Sequence, residues 1–194
     1  MWTLARPSTD RVAAFRAAQR DLSFTYPDVG LTRDGAVAPP IGFVRDHHRQ
    51  RLGAGPASFA AARAAIRAWT MFPPPLAAIE PAGIPIAPGE VAGVIVRAFG
   101  VHFLNAARIV YVIDEPRRFG FAYGTLPGHA ERGEERFLVE HLDDDSVWFD
   151  LLAISRPGYW LARLARPLTR RLQRSFARMA KLRMLAAVER SNAR

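Results

Sequence analysis

The run Phe119-Gly-Phe-Ala-Tyr-Gly-Thr-Leu-Pro-Gly-His-Ala-Glu-Arg-Gly-Glu-Glu-Arg-Phe137 reads as a strand, a turn at Pro127-Gly128 and a second strand. Successive side chains of a strand point to opposite faces, so Phe119, Phe121, Tyr123 and Thr125 share one face while Gly120, Ala122 and Gly124 share the other. One face is bulky and aromatic and the other is nearly bare. A bare face admits the close approach of another segment or a ligand, and it also fits a bend or bulge in the strand.

Outward from this run the same period continues. Val91 to Phe99, Val101 to Ile113, Arg118 to Thr125, Glu134 to His141 and Ser146 to Ile154 are rich in Val, Ile, Phe, Tyr and Trp. Short turn-forming stretches at Asp114-Glu115-Pro116, Pro127-Gly128 and Asp143-Asp144-Asp145 separate the later ones, which predicts an antiparallel meander of five strands. Ahead of it, Pro56 suits a first helical turn, and Phe59, Ala62, Ile66 and Trp69 fall on one helical face until Phe72 and Pro73-Pro74-Pro75. Further upstream, Ser8 or Thr9 caps a helix carrying Val12, Phe15 and Ala18 up to about Arg20. Between these helices, Tyr26-Pro27-Asp28-Val29-Gly30, Arg33-Asp34-Gly35 and Pro39-Pro40 punctuate the chain, leaving one extended piece near Ile41 to Val44.

After the meander the period returns to helical. On a helical wheel Leu161, Ala165, Leu168, Leu172, Phe176 and Met179 cluster on one side, opposite Arg163, Arg166, Arg170, Arg174 and Lys181. This predicts a basic amphipathic helix over about residues 158–188, kinked or broken at Pro167. A helix with one apolar stripe needs an apolar surface, and the preceding sheet is the nearest. The expected fold class is therefore α+β: an antiparallel sheet wrapped around a long C-terminal helix, with a cavity possible between them.

Composition narrows the function classes. The chain has 194 residues, 49% of them hydrophobic, which suits a single domain over residues 1–194. It has no cysteine, which excludes disulfides, thiolate metal sites and a thiol nucleophile, and suits the cytoplasm. No signal-like or membrane-spanning apolar stretch is evident. The net charge of +9 is concentrated at the end of the chain: from Ser155 onward, ten arginines and Lys181 face Glu189 alone, a net of +10, so the other 154 residues total −1. Lys181 is the sole lysine, so arginine abundance by itself says little about phosphate recognition.

Gly120-Phe-Ala-Tyr-Gly-Thr-Leu-Pro-Gly-His129, continuing through Glu131 and Gly133-Glu-Glu-Arg-Phe137, resembles the signature of an uncharacterised family of bacterial and plant proteins, number nineteen-ninety in the domain-of-unknown-function series. Tyr26 with Val29-Gly30, Leu52-Gly-Ala-Gly55, Trp69, Arg108-Ile-Val-Tyr-Val112 and Ser155-Arg-Pro157 extend the resemblance over most of the chain. That family is similar to the START-like, Bet v 1-like superfamily. The resemblance implies a helix-grip fold that often encloses an apolar pocket, and it brings no established activity or catalytic residues.

Several residues then stand as candidates. The expected pocket between meander and last helix has Phe121, Tyr123, Trp148, Leu168 and Leu172 as walls, with Tyr123 and His129 orienting a polar end. His129, Glu134 and Glu135 are acid–base candidates in an enzyme reading, although the bland reading of that cluster, with Glu131, is a solvated hairpin loop. Arg108 and Arg136 lie in apolar strands and call for partners such as Glu134, Glu140 or Asp150. His47-His48, amid Arg45, Asp46, Arg49 and Arg51, reads as a surface segment, since adjacent histidines of a strand cannot share one ion. No metal site and no cofactor is expected: Gly53-Ala-Gly55-Pro lacks the residues of a dinucleotide fingerprint or P-loop, and no Gly-x-Ser-x-Gly elbow occurs. The expected partner is a small apolar or amphipathic molecule. The basic helix keeps a third reading open, an acidic partner or membrane surface, while nucleic acid lacks a recognisable module.

Overall fold

A computed structural model describes residues 1–33, 38–158 and 166–193. In chain order they form β1 (Trp2–Thr3), α1 (Thr9–Gln19), β2 (Val44–Ala54), α2 (Gly55–Arg67), β3 (Ala77–Glu80), β4 (Val91–Ala98), β5 (Val101–Glu115), β6 (Arg118–Thr125), β7 (Glu131–His141), β8 (Ser146–Pro157) and α3 (Arg166–Asn192). The sheet is antiparallel throughout, in the order β2-β8-β7-β6-β5-β4-β3, with β1 pairing to β5. The five expected strands are all present as β4 to β8.

The inner face of the sheet packs on α2 and α3. Phe121, Phe137, Val139, Phe149 and Leu151 of the sheet meet Phe59, Ala62 and Ile66 of α2 and Ala177, Ala180, Met184 and Val188 of α3 in one core. The aromatic face of β6 supplies its centre: Phe121 lies 4.7 Å from Trp69 and 5.4 Å from Phe137 between ring centroids. The outer face carries α1, through Val12 against Ile95 and Leu104, and the segment from Phe24 to Thr32. Ser8 caps α1, its Oγ accepting from the Arg11 amide.

Three expectations are corrected. The extended piece near Ile41 to Val44 is instead the start of an eleven-residue edge strand, β2, and the His47-His48 segment lies within it; Ile41 itself is fully exposed. Charged alternation conceals this strand, because one of its faces is solvated. Helix α2 ends at Arg67, short of Phe72, yet Trp69 stays buried: it adopts φ 54° and its indole donates to the Ile84 carbonyl at 2.9 Å. Among the described residues α3 begins at Arg166, so the kink or break expected at Pro167 falls at their edge. Residues 159–165, including Leu161, Arg163 and Ala165 of the expected stripe, and Asp34-Gly35 of the expected turn lie outside the described residues. The third correction is the azimuth of α3. Its buried centre is Ala177, Ala180, Met184 and Val188, small or slender residues that let the helix lie close to α2, whereas Leu168 is 41% exposed at the margin of the buried face.

Candidate functional site

A cavity of about 630 Å³ separates the inner face of the sheet from the first half of α3. Phe72, Val94, Val96, Phe103 and Leu151 form its apolar walls from the sheet side, and Leu172 and Phe176 from the helix. Its mouth carries exposed apolar side chains: Trp2 at 66%, Phe99 at 65% and Leu168. A shallower depression of about 670 Å³ lies open on the outside, over Phe24, Tyr26 and Pro127, and shares His129 with the cavity.

One end of the cavity is polar, and β7 builds it. Alternation directs Glu131 and Glu135 inward beside Phe137, while Glu134 and Arg136 point outward. Tyr123, the cross-strand partner of Glu135, donates its hydroxyl to Glu135 Oε2 at 2.5 Å. Glu131 accepts from Ser155 Oγ at 2.8 Å and from Gln173 Nε2 of α3 at 2.5 Å. His129 closes the β6–β7 turn: its backbone N–H donates to the Leu126 carbonyl, and its Nδ1 accepts the Glu131 amide at 3.0 Å. At the same end, Arg170, which also donates to Gln173 Oε1, forks onto both carboxylate oxygens of Asp46 on β2.

Desolvation dominates the electrostatics of this end. It raises the Glu135 carboxyl to about 7 against the counter-effect of the Tyr123 hydrogen bond, and raises Glu131 despite its two donors. It holds His129 down at about 4, so the imidazole is neutral, and it pushes the Tyr123 hydroxyl well up. Near neutral pH this end therefore holds a carboxyl poised between its two forms.

The sequence candidates separate accordingly. Tyr123, His129, Glu135, Leu168 and Leu172 all border the cavity. Phe121 lies behind its wall, fully buried among Trp69, Tyr123 and Phe137. Trp148 is a correction: between the core residues Val147 and Phe149 it points to the outer face, where Arg49 lies 5.0 Å over its ring. The carboxylate of Glu134 is also on the outer face, fully engaged by Tyr26 Oη at 2.8 Å, the Gly30 amide at 2.8 Å and the Thr32 amide at 3.0 Å. The cluster is thus no solvated hairpin loop; the sheet splits it between a buried Glu134 on the outer face and a half-buried His129, Glu131 and Glu135 at the cavity. Arg136 pairs with Asp150 at 3.0 Å as expected, and Asp150 also meets His47 and Arg49. Arg108 instead donates to the Arg20 carbonyl and lies over Phe24. Sequence reasoning named Glu131 within the His129 cluster but missed Gln173, Asp46 and Ser155 as cavity residues. Alternation in β7 carried the signal for Glu131, whereas the contacts from β2 and α3 needed the fold.

Comparison with known proteins agrees with this architecture. The profile of the domain of unknown function DUF1990 matches residues 25–182. A UPF0548 protein of Deinococcus radiodurans is 38% identical over 190 residues, covering 92% of this chain and 94% of the relative. A UPF0548 protein of Dictyostelium discoideum is 31% identical over 207 residues, covering 97% and 96%. Among solved structures, the ZhuI aromatase/cyclase of Streptomyces sp. R1128 superposes with a TM-score of 0.50 at 15% identity, covering 76% of this chain and 94% of its own; the likeness is one of fold, the Bet v 1-like helix grip.

Proposed function

This chain belongs to the domain-of-unknown-function family DUF1990, and we propose that it binds a small apolar or amphipathic molecule between the sheet and α3. One observation carries the reading: a cavity of about 630 Å³ whose walls are apolar and whose few polar groups converge at one end. That volume falls within the roughly 300–1,000 Å³ usual for small-molecule sites, and the wall chemistry fits too. The exposed Trp2, Phe99 and Leu168 give an apolar ligand a path from solvent. The test is native mass spectrometry of the purified protein, followed by denaturing extraction and identification of any co-purified molecule. A stoichiometric apolar or amphipathic adduct is expected. A clean mass, together with no uptake of the neutral dye Nile red, would sink the reading.

A second reading, an enzyme using the same cavity for proton transfer, is favoured by the 2.5 Å hydrogen bond between Tyr123 and Glu135. In this reading Glu135 is the acid–base group, His129 orients the ligand, and Glu134 serves the outer face. Replacing Glu135 with Gln then abolishes turnover while ligand still binds.

A further inference from the structure

The hydrogen-bonding groups around Glu131 and Glu135 are unevenly matched. Donors near them are already committed: Tyr123 to Glu135, Ser155 and Gln173 to Glu131. Neighbouring polar groups are committed as well. Asn105 donates to the Val94 and Phe103 carbonyls and accepts the Ala130 amide, and Thr125 Oγ1 accepts the Gly133 amide. The His129 Nδ1 is an acceptor already in use, leaving one ring N–H at Nε2. What remains in surplus is acceptor capacity, for a carboxylate has about four lone-pair sites and, among the described residues, Glu135 has one hydrogen-bonding partner, the Tyr123 hydroxyl.

Charge is unmatched in the same direction. Among the described residues no guanidinium or ammonium group hydrogen-bonds to either glutamate. Arg170 acts favourably on Glu131, but its fork is engaged by Asp46, whose own charge opposes that effect. Arg174 borders the cavity from an exposed position on α3, and His48, from β2, is held toward its neutral form by desolvation. A carboxylate in apolar surroundings without a cation is costly; holding a proton lowers that cost, and a bound cation would lower it while leaving the carboxylate ionised.

We propose that the cavity selects amphipathic molecules whose polar head is a protonated amine, held by Glu135 and Glu131, with an alkyl or aromatic body along Phe72, Val96, Phe103, Leu172 and Phe176. This rests on the reading of the cavity as a ligand site and specifies the ligand's chemistry. An ammonium head supplies three donors and the countercharge together, whereas a hydroxyl supplies one donor and no charge.

The test is displacement of Nile red at pH 8 by three probes of one chain length: decylammonium, decanol and decanoate. Decylammonium should displace the dye at a concentration roughly ten- to a hundredfold below that needed for decanoate, the worth of one charge-assisted hydrogen bond. In Glu135→Gln, and further in the double variant E131Q/E135Q, that preference should collapse. Should the variants fail to fold, the parent protein still decides: its preference for decylammonium over decanol should grow from pH 6 to pH 8 as Glu135 loses its proton. Equal or better binding of decanoate, a preference indifferent to both substitutions, or a flat pH profile would each overturn the proposal while leaving decanol binding intact. Failure of all three probes and of the dye would instead remove the cavity reading itself.

Discussion

At the scale of single residues, the glycines of the central signature are explained by what sits against them. A Cβ at Gly124 would lie 2.1 Å from the Tyr26 hydroxyl and 2.9 Å from the Phe24 ring, and one at Gly128 would lie 2.4 Å from Phe15. On the bare face of β6 that the sequence displays, the chain's own aromatics thus take the space at Gly124, while a Cβ at Gly120 would meet the β7 backbone at the Phe137 carbonyl. Gly124→Ala must displace a hydroxyl that also serves Glu134, and should cost about 1–3 kcal/mol in chemical denaturation. Glu135 makes a second prediction, and its sign follows from linkage. Its carboxyl is raised from 4.5 to about 7 on folding, so the folded state holds the proton more tightly and this group's favourable contribution is complete below pH 4.5 and lost as pH rises to 7. Thermal melts should therefore show Glu135→Gln gaining on the parent protein between pH 5 and pH 8. His129, depressed to about 4, contributes in the opposite sense below pH 6.5, equally in both proteins, and cancels in the difference. A constant gap across that range would count against the buried carboxyl. Glu135 was legible as a candidate because it follows a turn in an aromatic strand. The division between Glu134 and Glu135 was equally available from alternation, but deciding which face was inner required the partners, Tyr26 and Thr32, to be in place.

At the scale of elements, strands β4 to β8 were legible because each pairs hydrophobic alternation with a short turn. β2 was not, since Arg45-Asp-His-His-Arg-Gln-Arg51 offers no apolar run; its pairing to β8 from Val44–Ser155 to Ala54–Ser146 is a tertiary decision. The two histidines do point to opposite faces, His47 to Asp150 at 2.6 Å and His48 to the cavity. In α3 the larger apolar residues suggested the wrong azimuth, because close packing on α2 selects alanines and leaves Leu182 55% exposed. The β2–β8–β7 junction also carries a charge cluster, in which Arg136 and Asp150 are only 8% and 6% exposed in their side chains. Asp150→Ala strands a buried guanidinium and should cost about 3–5 kcal/mol by equilibrium unfolding. A loss below 1 kcal/mol would mean that solvent reaches Arg136.

At the scale of the whole molecule, the basic excess belongs to α3, and part of it is structural. Arg170 holds Asp46, and Arg183 donates to the Thr70 carbonyl at 2.8 Å. Arg171 and Arg178 are exposed, so the double variant R171Q/R178Q should unfold within about 0.5 kcal/mol of the parent, as surface substitutions do. If the parent binds phosphatidylserine vesicles and this variant does not, the helix surface has a partner besides the sheet. Among the described residues no helix is long and apolar enough to cross a membrane. The sheet itself separates two environments with nothing between them. Glu134, anchoring the segment from Tyr26 to Thr32, and Glu135, facing the cavity, are joined by a single peptide unit. A homologue that altered Tyr26 or Thr32 would tilt that peptide and re-aim the acid behind it, so the chemistry of the cavity can drift through positions that lie on the other side of the sheet.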